Sequence, residues 1–236
     1  MRIVAIIPAR GGSKSIHKKN LIDFCGKPLL TWSIEQALAS LLVNKVYVST
    51  EDQEIAVVSK KYGAGVIQRP IELSTDTASS EDALVHAIDR IEKEGGRNID
   101  IVVFLQATSP LRNPADIDNA LRKFIDQDAD SLFSGAILED FLIWGDENGK
   151  LESINYNYRN RGLRQTRKKQ YVENGSIYIF KPAVLKKKNN RLGGKIIVYE
   201  MEFWKSYEID SYEDIEICEY YMRNKLLRNV QQIRVS

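Results

Sequence analysis

The sequence predicts an α/β protein of Rossmann-like three-layer αβα design, with a mostly parallel sheet covered by helices and an inserted arm at about 138–170. Three observations predict it. Short apolar runs alternate with amphipathic stretches through residues 2 to 127, the pattern of successive βαβ units. The first run, Ile3-Val4-Ala5-Ile6-Ile7, passes straight into a cationic, glycine-containing loop from Pro8 to Asn20. After a strand at 130 to 136 the alternation breaks into aromatic and turn residues before regular strands resume. At 236 residues the chain fits a single domain, 1–236, with enough length to bury a large core.

The elements follow in order. Strand 2 to 8 is an unbroken apolar run, as a strand covered on both faces requires. A helix from about 29 to 42, a strand at 45 to 50, a helix from about 52 to 62 and a strand at 65 to 68 come next. Ser79-x-x-Asp82 can form a capping box ahead of Leu84, Ala87, Ile88 and Ile91, which predicts a helix from about 80 to 94. After a strand at 100 to 105, Asn113-Pro114 supplies an N-cap and a first-turn proline for a helix at 114 to 127. Residues 138 to 170 hold Phe141, Trp144, Tyr156 and Tyr158, then the basic run Arg159, Arg161, Arg164, Arg167, Lys168 and Lys169, and read as an arm or lid. A strand at 176 to 180 entered from an Asn174-Gly175 turn, a turn from Asn189 to Gly194, a strand at 196 to 200, and a helix from about 212 to 227 close the chain. Ligands of such sheets sit beyond the carboxyl ends of the strands, where residues 8 to 20, 69 to 80 and 106 to 113 all fall.

Composition narrows the function classes. A net charge of +2 offers no polybasic coat for nucleic acid, so anion binding must come from local clusters. Two cysteines, Cys25 and Cys218, are too few for a disulfide framework and lack metal-ligand spacing, which points to a reduced, cytoplasmic setting. No apolar run approaches membrane-spanning length, and residues 3 to 7 are too short for a signal-peptide core. A soluble protein with no membrane partner is expected.

The loop after the first strand carries the strongest chemistry. Gly11 and Gly12 allow backbone N–H groups to approach an anion, while Arg10, Lys14 and Lys19 supply charge at separate points along a polyphosphate. It fits neither familiar nucleotide fingerprint. Pro28 follows Gly26-Lys27 where a Walker loop needs a hydroxyl, and Gly63-Ala64-Gly65 precedes a strand and breaks the dinucleotide pattern at Gln68. The same residues would also suit a solvated surface loop. His17 lies within the loop and can touch phosphate, whereas His86 falls on the polar side of its helix, where solvation is expected.

Five ordered segments carry a family resemblance. Ile7-Pro8-Ala9-Arg10-Gly11-Gly12-Ser13-Lys14 with Lys19-Asn20-Leu21, then Arg69-Pro70 with Asp76-Thr77-Ala78-Ser79-Ser80, then Leu105-Gln106-Ala107-Thr108-Ser109-Pro110-Leu111-Arg112, then Asn174-Gly175-Ser176-Ile177-Tyr178-Ile179, and finally Glu208-Ile209-Asp210, span essentially the whole chain. Together they resemble the bacterial CMP-sialic acid synthetases, the acylneuraminate cytidylyltransferases. The resemblance implies a nucleotide-diphospho-sugar transferase-like fold, and a reaction in which the anomeric hydroxyl of a nine-carbon 2-keto sugar acid attacks the α-phosphorus of CTP. Mg²⁺, or Mn²⁺, is the implied cofactor.

The resemblance also implies roles. Arg10, Lys14, Lys19 and Asp210 become the catalytic set, and Ala9, Arg10, Gly11, Gly12, Ser13, Lys14, Lys19, Asn20, Arg69, Ser79 and Ser80 the nucleotide-binding set. Gln106, Thr108, Ser109, Arg112, Arg164 and Asn174 are placed toward the sugar acid, with Arg164 suited to its carboxylate. Asp210 and Glu208 are implied metal ligands, and their spacing on a short strand would put both carboxylates on one face. Val172, where some relatives carry arginine, and Leu138-Glu139-Asp140-Phe141-Leu142, in place of a histidine-rich segment, depart from the family near the sugar site. The acid is therefore open among neuraminate, a legionaminate-like diamino acid, deaminated neuraminate and rarer acids. Family members dimerise through the arm, and its four aromatics make a group too large to leave exposed, so a homodimer is expected. Other readings are a cytidylyltransferase for another 2-keto sugar acid, a sugar-1-phosphate nucleotidyltransferase, a nucleotide-sugar glycosyltransferase, and a nucleic-acid binder using Arg159 to Lys169 and Lys186 to Lys188.

Overall fold

Strand β1 (Ile3–Pro8) is apolar at all but its last position because both faces are covered. Ile3, Ala5 and Ile7 join one core cluster, and Val4 and Ile6 join the other, as the two-residue repeat of a strand requires. The computed structural model describes residues 1–138, 141–163, 165 and 168–228. From β1 the chain runs through a short hairpin, β2 (Asp23–Phe24) and β3 (Lys27–Pro28), to α1 (Leu29–Leu38), β4 (Lys45–Thr50), α2 (Gln53–Lys61) and β5 (Gly65–Gln68). Next come α3 (Ser80–Gly95), β6 (Ile101–Leu105), α4 (Pro114–Asp126) and β7 (Ser131–Ile137). A separate hairpin of β8 (Trp144–Glu147) and β9 (Lys150–Ser153) precedes β10 (Tyr171–Phe180), α5 (Pro182–Lys188), β11 (Ile196–Glu200) and α6 (Tyr212–Tyr221). Helix α6 continues into a π-helical turn over Met222–Leu227.

The central sheet has the order β11-β7-β10-β6-β1-β4-β5. It is mostly parallel, with β10 antiparallel to both β6 and β7. Strands β4 and β5 extend it on one side of β1 and β6 lies on the other, so the order reverses between β1 and β6, and a crevice opens there at the carboxyl edge. Helices α1 and α4 pack on one face through Leu30, Ile34, Ile117 and Leu121, and α3 and α5 on the other through Leu84, Ile88 and Leu185.

A third cluster fixes the crevice's rim. Ile16, from the cationic loop, and Ile209, between Glu208 and Asp210, are both buried with Leu111 against Cys218, Met222 and Leu226 of the C-terminal helical segment. The loop is thus anchored by an apolar plug, although its sequence reads as flexible.

Local differences from the predicted elements have identifiable causes. Helix α1 stops at Leu38, four residues early, because the Asp118 carboxylate receives the Ser40 hydroxyl at 2.5 Å and the N–H groups of Leu41 and Leu42 at 3.1 and 3.2 Å. Asn174-Gly175 is not a turn ahead of a strand. It lies inside β10, where the pairing with β7 slips between Glu173 and Tyr178 and Gly175 takes a φ of 61°. Residues 207 to 210 form no strand, so Glu208 and Asp210 share no strand face. Helix α5, starting at Pro182 and ending in three lysines, went unread. The N-caps Ser79 and Asn113 are present, the latter in a capping box with Asp116. Among the described residues no helix is long and apolar enough to cross a membrane.

Candidate active site

Each wall of the crevice is held mostly by contacts between residues distant in sequence. Asn20 Nδ2 donates to the Arg10 carbonyl at 2.9 Å and closes the loop on itself. Lys19 Nζ donates to the Ile209 carbonyl at 3.0 Å and pairs with Asp210 at 2.8 Å, tying the loop to the C-terminal carboxylates. Arg10 and Lys14 both reach Asp76, at 3.0 and 2.9 Å. Behind the loop, Glu51 receives the Gly11 N–H at 2.7 Å and pairs with Arg69 at 2.9 Å, while Arg69 Nε donates to Ser74 Oγ. Burial alone would raise the Glu51 carboxyl, but hydrogen bonds from Arg69, Gly11 and Ser74 hold it below the ordinary glutamate range.

The wall after β6 is equally fixed. The Thr108 carbonyl receives the Ile209 N–H at 2.8 Å, which brings the 106–110 turn beside the Glu208–Asp210 segment. The Gln106 carbonyl receives Arg112 Nη2 at 2.7 Å. Gly175 runs so close to this corner that a methyl there would overlap Glu208 Oε1 and come within 3.0 Å of Gln106 Oε1.

These walls enclose a cleft of about 570 Å³ lined by Arg10, Gly12, Ser13, Lys14, Lys19, Asn20, Arg69, Ser79, Ser80, Gln106, Thr108 and Asp210. Twelve sequence-predicted residues therefore meet at one site. The hydroxyls of Ser79 and Ser80 are engaged there: Ser79 accepts the Asp82 N–H at the start of α3, and Ser80 donates to Glu81 and receives Arg191.

Other predicted residues stand elsewhere. Ala9 is buried with its N–H on the Ser49 carbonyl, and Gly11 gives its N–H to Glu51, so both face back toward β4 rather than into the cleft. Arg112 is not at a pocket mouth. It is 1 % exposed, and its guanidinium is committed to Ser176, Ser33, Gln36 and the Gln106 carbonyl. It holds the Gln106 backbone carbonyl from the protein interior. Asn174 is likewise buried, bonded to Ser134, Ser176 and Met201 Sδ at the slip in β10, and does not line the cleft. Ser109 is buried beside Glu208. His17 is exposed off the cleft wall, and His86 is half-buried, which lowers its basicity, with Nδ1 enclosed rather than solvated. Arg164 and Arg167, with residues 139 and 140, lie outside the described residues. Burial pushes Cys25 up to about 11 and Cys218 to about 12, so neither supplies a thiolate near neutrality.

Sequence reasoning missed two residues. Glu51 looked like an ordinary acid ahead of α2. Arg191 sat in a segment read only as a turn, yet it lines the cleft, packs over Phe104 and Tyr178 at 4.7 and 4.8 Å, and pairs with Glu81. No local pattern marks either, because their partners are distant in sequence.

Glu208, buried behind the cleft, and Asp210, on its wall, are the two carboxylates that could hold a hard divalent cation. Burial first, and then the neighbouring Asp210 charge, push Glu208 up to about 7, a repulsion that a bound cation would relieve. Among the described residues no group of three or more His, Cys, Asp or Glu side chains is placed to hold a metal ion, so a cation held here would need further ligands from phosphate or water.

Comparison with known proteins decides the family, since a cytidylyltransferase model matches residues 4–233. The chain belongs to the cytidylyltransferase family. It is 36 % identical over 220 residues to N-acylneuraminate cytidylyltransferase A of Danio rerio, covering 92 % of this chain and 50 % of that protein. It is 38 % identical over 183 residues to pseudaminic acid cytidylyltransferase of Campylobacter jejuni, covering 75 % of this chain and 78 % of the relative. The chain thus spans only half the length of the fish relative. A solved structure of CMP:2-keto-3-deoxy-manno-octonic acid synthetase complexed with CTP shares the fold of this cytidylyltransferase. Its TM-score is 0.73 at 21 % identity, over 96 % of this chain and all of the other. The family agrees with a cation-lined cleft beside the β1/β6 switch point.

Proposed function

We propose that the chain transfers CMP from CTP to the anomeric hydroxyl of a nine-carbon 2-keto sugar acid, giving a CMP-sugar and pyrophosphate. One observation carries the reading: Arg10, Lys14 and Lys19 line the same cleft as Gln106 and Asp210, so a polyphosphate clamp faces a polar acceptor wall. The names of the relatives, N-acylneuraminate and pseudaminic acid cytidylyltransferases, support the acceptor class.

In this reaction the hydroxyl oxygen bonds to the α-phosphorus, the bond from that phosphorus to the oxygen bridging it to the β-phosphorus breaks, that oxygen leaves with pyrophosphate, and the hydroxyl proton is released. Attack on an activated triphosphate needs charge neutralisation and in-line placement more than covalent help. Arg10 and Lys14 are assigned to the outer phosphates and Lys19 to the phosphate nearest Asp210. Arg69, held by Glu51, supports the nucleotide side, and Gln106, held through its carbonyl by Arg112, meets the acceptor. Asp210, backed by Glu208, would hold Mg²⁺ or Mn²⁺, which when bound supplies further positive charge to the triphosphate.

The test is substrate profiling: purified protein with Mg²⁺, each of the four nucleoside triphosphates, and a panel of nine-carbon 2-keto acids and sugar-1-phosphates, with pyrophosphate detection. Release confined to CTP with one of the acids is expected. Release with a sugar-1-phosphate would overturn the acceptor assignment, and preference for another triphosphate would overturn the donor.

A further inference from the structure

The cations assigned to the triphosphate already share an anion. Asp76, in the segment between β5 and α3, accepts Arg10 Nη1 on Oδ1 at 3.0 Å and Lys14 Nζ on Oδ2 at 2.9 Å. The same Arg10 Nη1 lies 3.3 Å from the Thr75 carbonyl. One carboxylate thus spans two donors that belong to another element, one oxygen to each, much as a phosphate would. Asp76 lines the cleft with them, and half of its side-chain surface is exposed, so it can leave without opening the core. The Lys14 ammonium, and then Arg10, hold its carboxyl below the usual aspartate range, so it is anionic at neutral pH. Lys19 and Arg69 have carboxylate partners of their own, Asp210 and Glu51, and do not share Asp76.

We infer that Asp76 is an internal stand-in for the outer phosphates, a competing anion that a nucleotide must displace to reach Arg10 and Lys14. This rests on the assignment of those two cations to the triphosphate. A carboxylate and a phosphate cannot share the pair without like-charge repulsion. The competition therefore selects by length: CTP, which reaches both cations, works against it, whereas CMP, which lacks the outer phosphates, does not. Exposed ion pairs are individually weak, so the penalty on CTP is modest, about threefold to tenfold.

Calorimetric titration of CTP and of CMP, each with Mg²⁺ and without acceptor, into the parent, Asp76→Asn, Asp76→Glu and Arg10→Ala tests it, with thermal unfolding as the check on folding. Asp76→Asn should bind CTP about threefold to tenfold more tightly and CMP as the parent does, while Asp76→Glu stays near the parent. Unchanged or weaker CTP binding by a folded Asp76→Asn would overturn the inference, as would equal tightening of CMP. Arg10→Ala separates the two levels. If it binds CTP as the parent does, the loop assignment itself fails; if it loses CTP affinity while Asp76→Asn gains none, only the stand-in fails.

Discussion

At the scale of single residues, the cleft works because charged groups are held by partners far away in sequence. Arg10 and Lys14 project from an exposed loop and add little to the core, so Arg10→Ala and Lys14→Ala should each lower kcat/KM for CTP at least about tenfold with the melting temperature nearly unchanged. Steady-state kinetics beside thermal unfolding checks both halves. Glu51 makes a different prediction, since its carboxyl titrates lower in the folded chain than its ordinary value of 4.5. A depressed carboxylate contributes stability above its unfolded pKa and loses it as pH falls through the folded one. Glu51→Gln should therefore melt below the parent at pH 7, with the gap closing as pH falls below 4.5, and a gap constant with pH would refute the linkage. Arg10, Lys14 and Lys19 were legible because charge and glycine spacing are local. The buried state of Arg112 and Asn174 was not, since burial is decided by Ser33, Gln36, Ser134 and Ser176, which no short motif contains.

At the scale of elements, the corner around Gln106 and Glu208 depends on β10 and on the segment leading into α6. Gly175 sits at a φ of 61° where an added methyl would overlap Glu208. Gly175→Ala should lower stability by about 1–2 kcal/mol and turnover by more than that loss explains, measured by denaturation and by kinetics at saturating substrates. Asp210→Asn should nearly abolish turnover at ordinary Mg²⁺, because an amide keeps the shape and loses the charge that holds a hard cation. Raised Mg²⁺ should rescue it in part, and Glu208→Gln should hurt less; parental activity of Asp210→Asn at limiting Mg²⁺ would reduce Asp210 to a partner of Lys19. Alternation and capping made most strands and helices readable, as at Ser79 and Asn113. The β10 interruption was misread because Asn-Gly is also the usual signal of a tight turn, and only the pairing with β7 distinguishes the two.

At the scale of the whole molecule, the sheet order was beyond the sequence, yet it explains why loops after β1 and β6 meet: they flank the point where strand order reverses. The arm outside the sheet leaves Phe141, Trp144 and Tyr158 at 52 %, 44 % and 51 % exposure, with Trp144 packed against Tyr156 and Tyr158. We propose that this aromatic face is covered by a second copy of the chain, and light scattering at micromolar concentration should give the mass of a dimer; a fully active monomer would exclude it. The central claim is that the acceptor's own anomeric oxygen attacks the α-phosphorus of CTP. Mass spectrometry of a reaction run with acceptor labelled with ¹⁸O at that position tests it most directly. The account predicts one ¹⁸O in the CMP-sugar and none in pyrophosphate, whereas an unlabelled CMP-sugar or labelled pyrophosphate would contradict it.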